Sequence, residues 1–378
     1  MPDFKVGMKI YSYDWFWKYG LDYDEAANLL KKQGIGFVIA QNEYVPSVST
    51  SVAAEVPEEC REAFISYDDR LFRKALKKAG IGYWGSVQMF FNPQEMYKYG
   101  SVPVDNQGKA AEKVDWYIGA CPTCEEYVNN RISQMEKASE ALKPDGFLLQ
   151  FMRFPGFWET WLSGTNPDEW TEYCYCSRCL DLFQKAAGIA VPGNNCTAPG
   201  EWIRKNAYDE FVNWKGDVIR DILLKIKEKI NGIHPGTKIM LNTLPFDKKH
   251  FDDFGRKIFG QDLEKLKDVV DVYEVMAYHQ ILGLPAEWVA DAGREIKDRL
   301  PDREVVCTVQ AVPSYTGGMH AGKGRRTEIS SGEFGAAIAR VKEKQLDGAV
   351  VFAWADFLEQ LMVHNDTSII DQFKSLAG

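Results

Sequence analysis

The sequence predicts an α/β fold, a single (β/α)8 TIM barrel over residues 1–378 with long inserts after strands three and four. Three observations lead there. Strand-like and helix-like runs alternate from end to end. The strand-like runs number eight, which closes such a barrel. Leu30–Gln41 (LKKQGIGFVIAQ) is also echoed by Leu76–Gln88 (LKKAGIGYWGSVQ), a repeated grammar of helix end, Gly-Ile-Gly and strand. The rival is an open doubly wound sheet, but the turn after Tyr13 lacks the Gly-x-Gly-x-x-Gly that would hold a pyrophosphate.

The expected strands are Val6–Tyr13, Gly36–Gln41, Gly82–Met89, Gly146–Met152, Lys238–Leu244, Val272–Tyr278, Glu304–Ala311 and Ala349–Trp354, each apolar enough to be a buried parallel strand. Between them, helical patterns end at recognisable stops: Asp24–Gln33 at Gly34, Asp68–Ala79 at Gly80, and Pro285–Leu300 at Pro301. The longest inserts, Asn92–Lys143 and Arg153–Gly236, follow strands three and four. Loops at the C-terminal ends of barrel strands build the active site, so these inserts imply a deep or extended cleft.

Composition narrows the function classes. Of 378 residues, 45% are hydrophobic and 26% charged, which excludes a disordered chain, a collagen-like repeat and a disulfide miniprotein. Lys and Arg total 45 against 54 Asp and Glu, for a net charge of −9. That balance gives no general footprint for nucleic acid or anionic membrane, and points to a small neutral or locally steered ligand. No apolar run reaches the roughly 18 residues of a membrane helix. The start, MPDFKVGMKIYSYDWFW, lacks the charged and apolar regions of a signal peptide. A cytoplasmic protein is therefore expected, or a secreted or periplasmic one if a leader has been removed; homo-oligomerisation stays open.

Five of the eight cysteines form two tight groups, Cys121-Pro-Thr-Cys124 and Cys174-Tyr-Cys176-Ser-Arg-Cys179. Thiolates two or three residues apart converge on a tetrahedral Zn²⁺. Cys174, Cys176 and Cys179 are expected ligands, with Cys121 or Cys124 as the fourth. Four thiolates leave no open position, so this zinc would be structural and would pin the two long inserts together. The alternatives are ordinary buried cysteines, or disulfides in a secreted protein. Cys60, Cys196 and Cys307 read as packing residues.

Function in this fold lives at the strand ends. Strand one leads to Asp14-Trp15-Phe16-Trp17, strand two to Gln41-Asn42-Glu43-Tyr44, strand three to Gln88, and strand four to Gln150, Arg153, Trp158 and Glu159. Strand five leads to Asn242 and Asp247, strand six to Tyr278-His279, strand seven to Gln310, and strand eight to Trp354 and Asp356. An aromatic, amide-rich rim with a few carboxylates suits sugar rings that stack on Trp15, Trp158 and Trp354 while amides bridge their hydroxyls. Glycoside cleavage needs two carboxyl groups, about 5–5.5 Å apart for retention and roughly 6.5–9.5 Å for inversion. Gln150 and Gln310 occupy the strand ends where many hydrolytic barrels place Glu, which argues against the commonest retaining arrangement. The remaining pool is Asp14, Glu43, Glu159, Asp247, Glu274 and Asp356. A loop after strand seven, Ser314–Ser331, combines four glycines with Lys323, Arg325 and Arg326. It reads as a solvated surface loop or as a lid over an anionic group such as a uronate or sulfate.

The segments DGFLLQFMRFPGFWE (Asp145–Glu159), CYCSRC (Cys174–Cys179), VMAYH (Val275–His279), VQA (Val309–Ala311) and DGAVVFAW (Asp347–Trp354) resemble a family of glycoside-hydrolase-like TIM barrels. The resemblance covers most of the chain from strand four onward. The Cys-x-Cys-x-x-Cys also resembles the structural zinc cluster of family 42 β-galactosidases, whose fourth cysteine lies upstream. Two departures stand out: the Asn-Glu pair of those β-galactosidases at strand four is absent, and Gln150 stands where the glycoside-hydrolase-like relatives commonly show Asp. The expected function is O-glycosyl hydrolysis with Asp14, Glu43, Glu159 and Asp356 as the acid/base pool. Arg153, Gln150, Asn242, Tyr278, His279 and Gln310 would orient a carbohydrate substrate. The alternatives are a non-catalytic glycan-binding barrel and a sugar isomerase or lyase with His279 as base and a second metal.

Overall fold

The computed structural model describes residues 4–47, 56–162, 170–192, 199–246 and 251–377. Eight parallel strands close into a barrel in chain order: β1 (Lys5–Ile10), β2 (Phe37–Ala40), β3 (Gly82–Gln88), β4 (Gly146–Gln150), β5 (Lys238–Thr243), β6 (Val272–Val275), β7 (Glu304–Gln310) and β8 (Gly348–Phe352). β8 returns to β1 with Lys5 opposite Gly348 and Met8 opposite Val351. All eight expected strands are present, and each leaves the ladder one to three residues before its expected end. After β6 the reason is visible: the amides of Ala277, Tyr278 and His279 donate to carbonyls two residues back, at 2.8–2.9 Å, which turns the chain toward the mouth.

The helices start and stop on local chemistry. Asp22 and Glu25 form a reciprocal capping box on Tyr23–Lys32, and Asp68 caps Asp69–Ala79. Gly80 ends the latter in the left-handed region, at φ 75°. The helix expected from Pro285 begins at Trp288, because Pro285 and Ala286 are spent on a turn. Of the inserts, the first carries the helix Glu125–Leu142 and the second Ser177–Ala187 and Tyr208–Ile233; the two long helices pack together. Among the described residues no helix is long and apolar enough to cross a membrane.

Side chains fill the barrel in layers. Phe37 and Trp84 occupy its lower part because glycines face them: a Cβ on Gly7 would lie 2.3 Å from the Phe37 ring, and one on Gly146 2.3 Å from the Trp84 ring. Above come Ile39, Leu148, Met240, Val272, Val306 and Val350. The layer beneath the C-terminal mouth is polar. There Lys9 of β1 pairs with Glu274 of β6 at 3.0 Å, both fully buried. Asn242 and Thr308 donate to the same carboxylate. The Lys9 ammonium sits 5.8–5.9 Å from the ring centres of Tyr11, Tyr278 and Phe352. Glu274 is thus held as the counter-ion of Lys9 rather than presented to the mouth.

Candidate functional site

The third residue beyond β4 carries the most unusual side chain at the mouth. Arg153 is 1% exposed, its guanidinium lying 5.1 Å from the Phe151 ring and 5.4 Å from the Phe259 ring. Burial pulls its pKa down, opposed by Tyr117 and Glu159. Glu159 is itself 5% exposed. Burial raises its pKa from the ordinary 4.5 to about 7, with Arg153 as the largest opposing influence and Asp115 adding to the rise. No ion pair joins Arg153 to Glu159 among the described residues, and Glu159 Oε2 has no hydrogen-bond partner among them.

Around this carboxyl stands an aromatic wall of Phe91, Tyr117, Phe157, Trp116 and Phe151, the last two partly exposed. Trp116 meets the edges of Phe151 and Phe157 at 6.2 and 5.6 Å. It is placed by a tight turn in the first insert: Val114 and Tyr117 exchange backbone hydrogen bonds of 2.9 Å, leaving Asp115-Trp116 at the tip with Asp115 at φ 52°. Phe151 and Tyr315 also have φ near +50°, at 51° and 55°, and they are the aromatic residues with positive φ among the described ones. Left-handed backbone at a bulky side chain is costly and tends to gather at functional sites. Here Glu159 acts electrostatically on Tyr315, and the Phe151 ring lies against the Arg153 guanidinium.

The glycine-rich loop after β7 is tied to the segment that carries Glu159. Lys323 donates to the Thr160 carbonyl at 2.6 Å. Arg325 donates to Ile281 O at 2.7 Å and to the Glu159 carbonyl, and Nη1 reaches His320 Nδ1 at 3.1 Å. With Nδ1 accepting, His320 Nε2–H donates to Asp115 Oδ2 at 3.3 Å. Arg326 pairs with Glu333. The three loop cations expected to cover an anion are therefore engaged with protein groups.

The other expected site residues lie apart from this centre or beneath it. Asp14 is half-buried, its pKa raised by burial against a hydrogen bond from Ser12 and the charge of Lys18. Glu43 is exposed, and its amide donates to Asp69 at 2.7 Å. Asp356 caps its own helix by accepting from Ala353 N at 2.9 Å. Gln150 accepts from Ser86 at 3.0 Å and donates to Tyr11 in the polar layer, while Gln310 Nε2 reaches Gln280 at 3.4 Å. His279 is buried, with Nε2 2.8 Å from Glu333 and Nδ1 without a hydrogen-bond partner among the described residues. Tyr278 is buried against Trp158 and Phe352. Trp15, Trp158 and Trp354 are each 1% exposed and packed against other rings, and so offer no open face for a sugar. Asp247 and Cys196 fall outside the described residues.

Sequence reading passed over Asp69, Asp115, Trp116 and Tyr315. Asp69, buried and raised to about 7 by burial, reads in sequence as an ordinary acid of a first helical turn. Asp115-Trp116 repeats the Asp-Trp pair of residues 14 and 15, a signal lost inside a long insert.

Four cysteine sulfurs, of Cys121, Cys174, Cys176 and Cys179, lie within 4.8 Å of one another, with Cys121 3.5 Å from Cys179 and 3.9 Å from Cys176. This cluster can hold a metal ion, and it ties the two inserts together. Cys124 is excluded from it: it stands at the N-terminal boundary of the helix Glu125–Leu142, and its thiol turns to the Tyr99 carbonyl at 3.5 Å. No second such group occurs among the described residues.

No protein-family model matches the chain, and no curated protein sequence matches it. Among solved structures it is similar to the PgaB (BpsB) glycoside hydrolase domain from Bordetella bronchiseptica, with TM-score 0.65 and 13% identity over 98% of this chain and 99% of that one. It is also similar to Gan42B, a GH42 β-galactosidase from G. stearothermophilus, with TM-score 0.65 and 12% identity over 99% of this chain and 56% of that one. The β-galactosidase from Marinomonas ef1 gives TM-score 0.64 and 13% identity over 99% and 59%. The chain thus spans a little over half the length of these β-galactosidases. At such identities the likeness establishes a glycoside-hydrolase-like barrel fold.

Proposed function

We propose that this barrel hydrolyses a glycosidic bond, with Glu159 protonating the leaving oxygen and Asp115 as the second carboxylate of the displacement. The observation that carries this reading is Glu159 itself. It is a carboxyl at the C-terminal mouth whose burial lifts it to about 7, so that it holds a proton near neutrality, beside a carboxylate that acts on it electrostatically. Trp116 and Phe151 supply the partly exposed rings on which a sugar can stack. Of the acid/base pool, Asp14, Glu43 and Asp356 stand on the β1, β2 and β8 side, and Glu159 is the member that lies among these rings. The test is mass analysis of products from neutral and acidic oligosaccharides and aryl glycosides. A fragment heavier by water supports hydrolysis, and a product lighter by water supports elimination. A second reading, glycan binding without turnover, draws on Gln150 and Gln310 at the ends of β4 and β7; sugar binding by folded protein with no product would favour it.

The four thiols fit zinc. Zn–S bonds of about 2.3 Å place tetrahedral ligands about 3.8 Å apart, and the sulfur distances given above bracket that value. Hydrogen bonds from Cys121, Cys174 and Cys179 pull the Cys176 thiol down. When bound, the ion would cross-link the inserts that carry Trp116 and Glu159. Metal analysis is expected to give one zinc per chain in the wild type and in Cys124→Ser, and none in Cys176→Ser, whose inserts should also be cut faster by protease. Zinc retained in Cys176→Ser would contradict this assignment.

A further inference from the structure

Arg153 is a buried cation with two donors unspent among the described residues. Its Nε and Nη2 atoms are inaccessible to solvent and have no hydrogen-bond partner among the described residues. An uncompensated buried charge is strongly destabilising, so such a fork is held open for something. Its shape says what. Nε and Nη2 form one edge of the guanidinium, and that same edge grips carboxylates elsewhere in this chain. Arg299 holds Glu264 by Nε and Nη2 at 2.6 Å each, and Arg70 holds Asp68 at 3.0 and 2.8 Å. At Arg153 no carboxylate takes that place among the described residues. The charged groups that act on it are Tyr117 and Glu159, and neither donates to or accepts from its Nε/Nη2 edge among the described residues. Phe151, the ring lying over the guanidinium, is partly exposed, so the fork lies one side chain below the surface.

We infer that the Nε/Nη2 edge of Arg153 receives a carboxylate of the substrate, which makes the site selective for uronate-bearing glycans. The inference rests on the reading of this mouth as a glycoside site. It moves the anion from the loop after β7, whose cations are engaged, to the segment after β4. A bidentate guanidinium–carboxylate pair adds geometric selection to charge.

Binding tests it without requiring turnover. The full chain is titrated by NMR with methyl β-D-glucuronide and methyl β-D-glucoside, with the corresponding galacto pair, and with the 6-sulfates of the two neutral glycosides. In one pair the uronide should bind about tenfold to a hundredfold more tightly than its neutral partner. Arg153→Gln should erase that difference, and Arg153→Lys should keep only part of it. The wild-type comparison stands even if the variants fold poorly. Equal affinity within both pairs, including no measurable binding of either member, overturns the inference, as does a preference that survives Arg153→Gln. A sulfate ester that outbinds the uronide overturns the carboxylate assignment. Uronide-selective binding with no product would sink hydrolysis and leave this inference standing, whereas turnover of neutral glycosides without uronide preference would do the reverse.

Discussion

Glu159→Gln lowers turnover by about 10²–10⁴-fold in a protein that stays folded, because the amide keeps the shape of the side chain and removes its proton. The pH dependence follows from the raised pKa. The acid is protonated below about 7, so wild-type activity should fall as pH rises through that value. Stability moves in the same sense. A carboxyl raised from 4.5 to about 7 binds its proton more tightly folded than unfolded, so its contribution is complete below 4.5 and is lost as pH climbs through 7. That interval corresponds to roughly 3 kcal/mol. The Gln variant has no carboxyl to ionise in a buried setting. Relative to wild type it should therefore gain up to about that amount between pH 4 and pH 9, as read by urea denaturation at each pH. A variant that is both inactive and selectively stabilised at high pH identifies a carboxyl kept buried for chemistry at a cost in stability. Full activity in Glu159→Gln removes the residue from the mechanism.

Lys9→Met destabilises the barrel by about 3–5 kcal/mol, the largest stability effect expected of any single change described above. The cause is the group left behind. Glu274 would keep a charge in the middle of the barrel with only Asn242 and Thr308 to solvate it. Removing both charges in Lys9→Met/Glu274→Leu should cost less than the single change, even though it strands the Asn242 and Thr308 donors. Denaturant midpoints with unchanged slope measure this. A double variant less stable than Lys9→Met would show that the carboxylate contributes through its neutral donors more than through the ion pair.

Much of the architecture was legible because it rests on local signals. Runs such as Gly146–Gln150 and Glu304–Gln310 are apolar on both faces only where helices cover the sheet, and Gly80 marks a helix end by a backbone state that few other residues adopt readily. Three of the four clustered thiols were legible from their spacing. Choosing Cys121 over Cys124 was not, because it depends on which of two cysteines starts a helix and which faces CYCSRC across the insert. The site divides in the same way. Arg153 and Glu159 follow β4 directly and could be read from it. Asp115, Trp116 and Tyr315 reach Glu159 only after two distant loops fold back on it, which no local pattern announces. The tryptophans mislead for a related reason: residue type shows that a ring can stack, whereas the cover over Trp15, by Phe72, Tyr67 and Trp354, is a tertiary fact.

The most direct measurement incubates wild type and Glu159→Gln side by side in ¹⁸O-labelled water with a mixed panel of neutral and uronate-containing oligosaccharides, and weighs the products. The account predicts a wild-type fragment carrying one ¹⁸O at its new reducing end, and its near-absence in the variant. Label incorporated equally by both proteins, or no product from a folded wild type that binds the sugars, would contradict it.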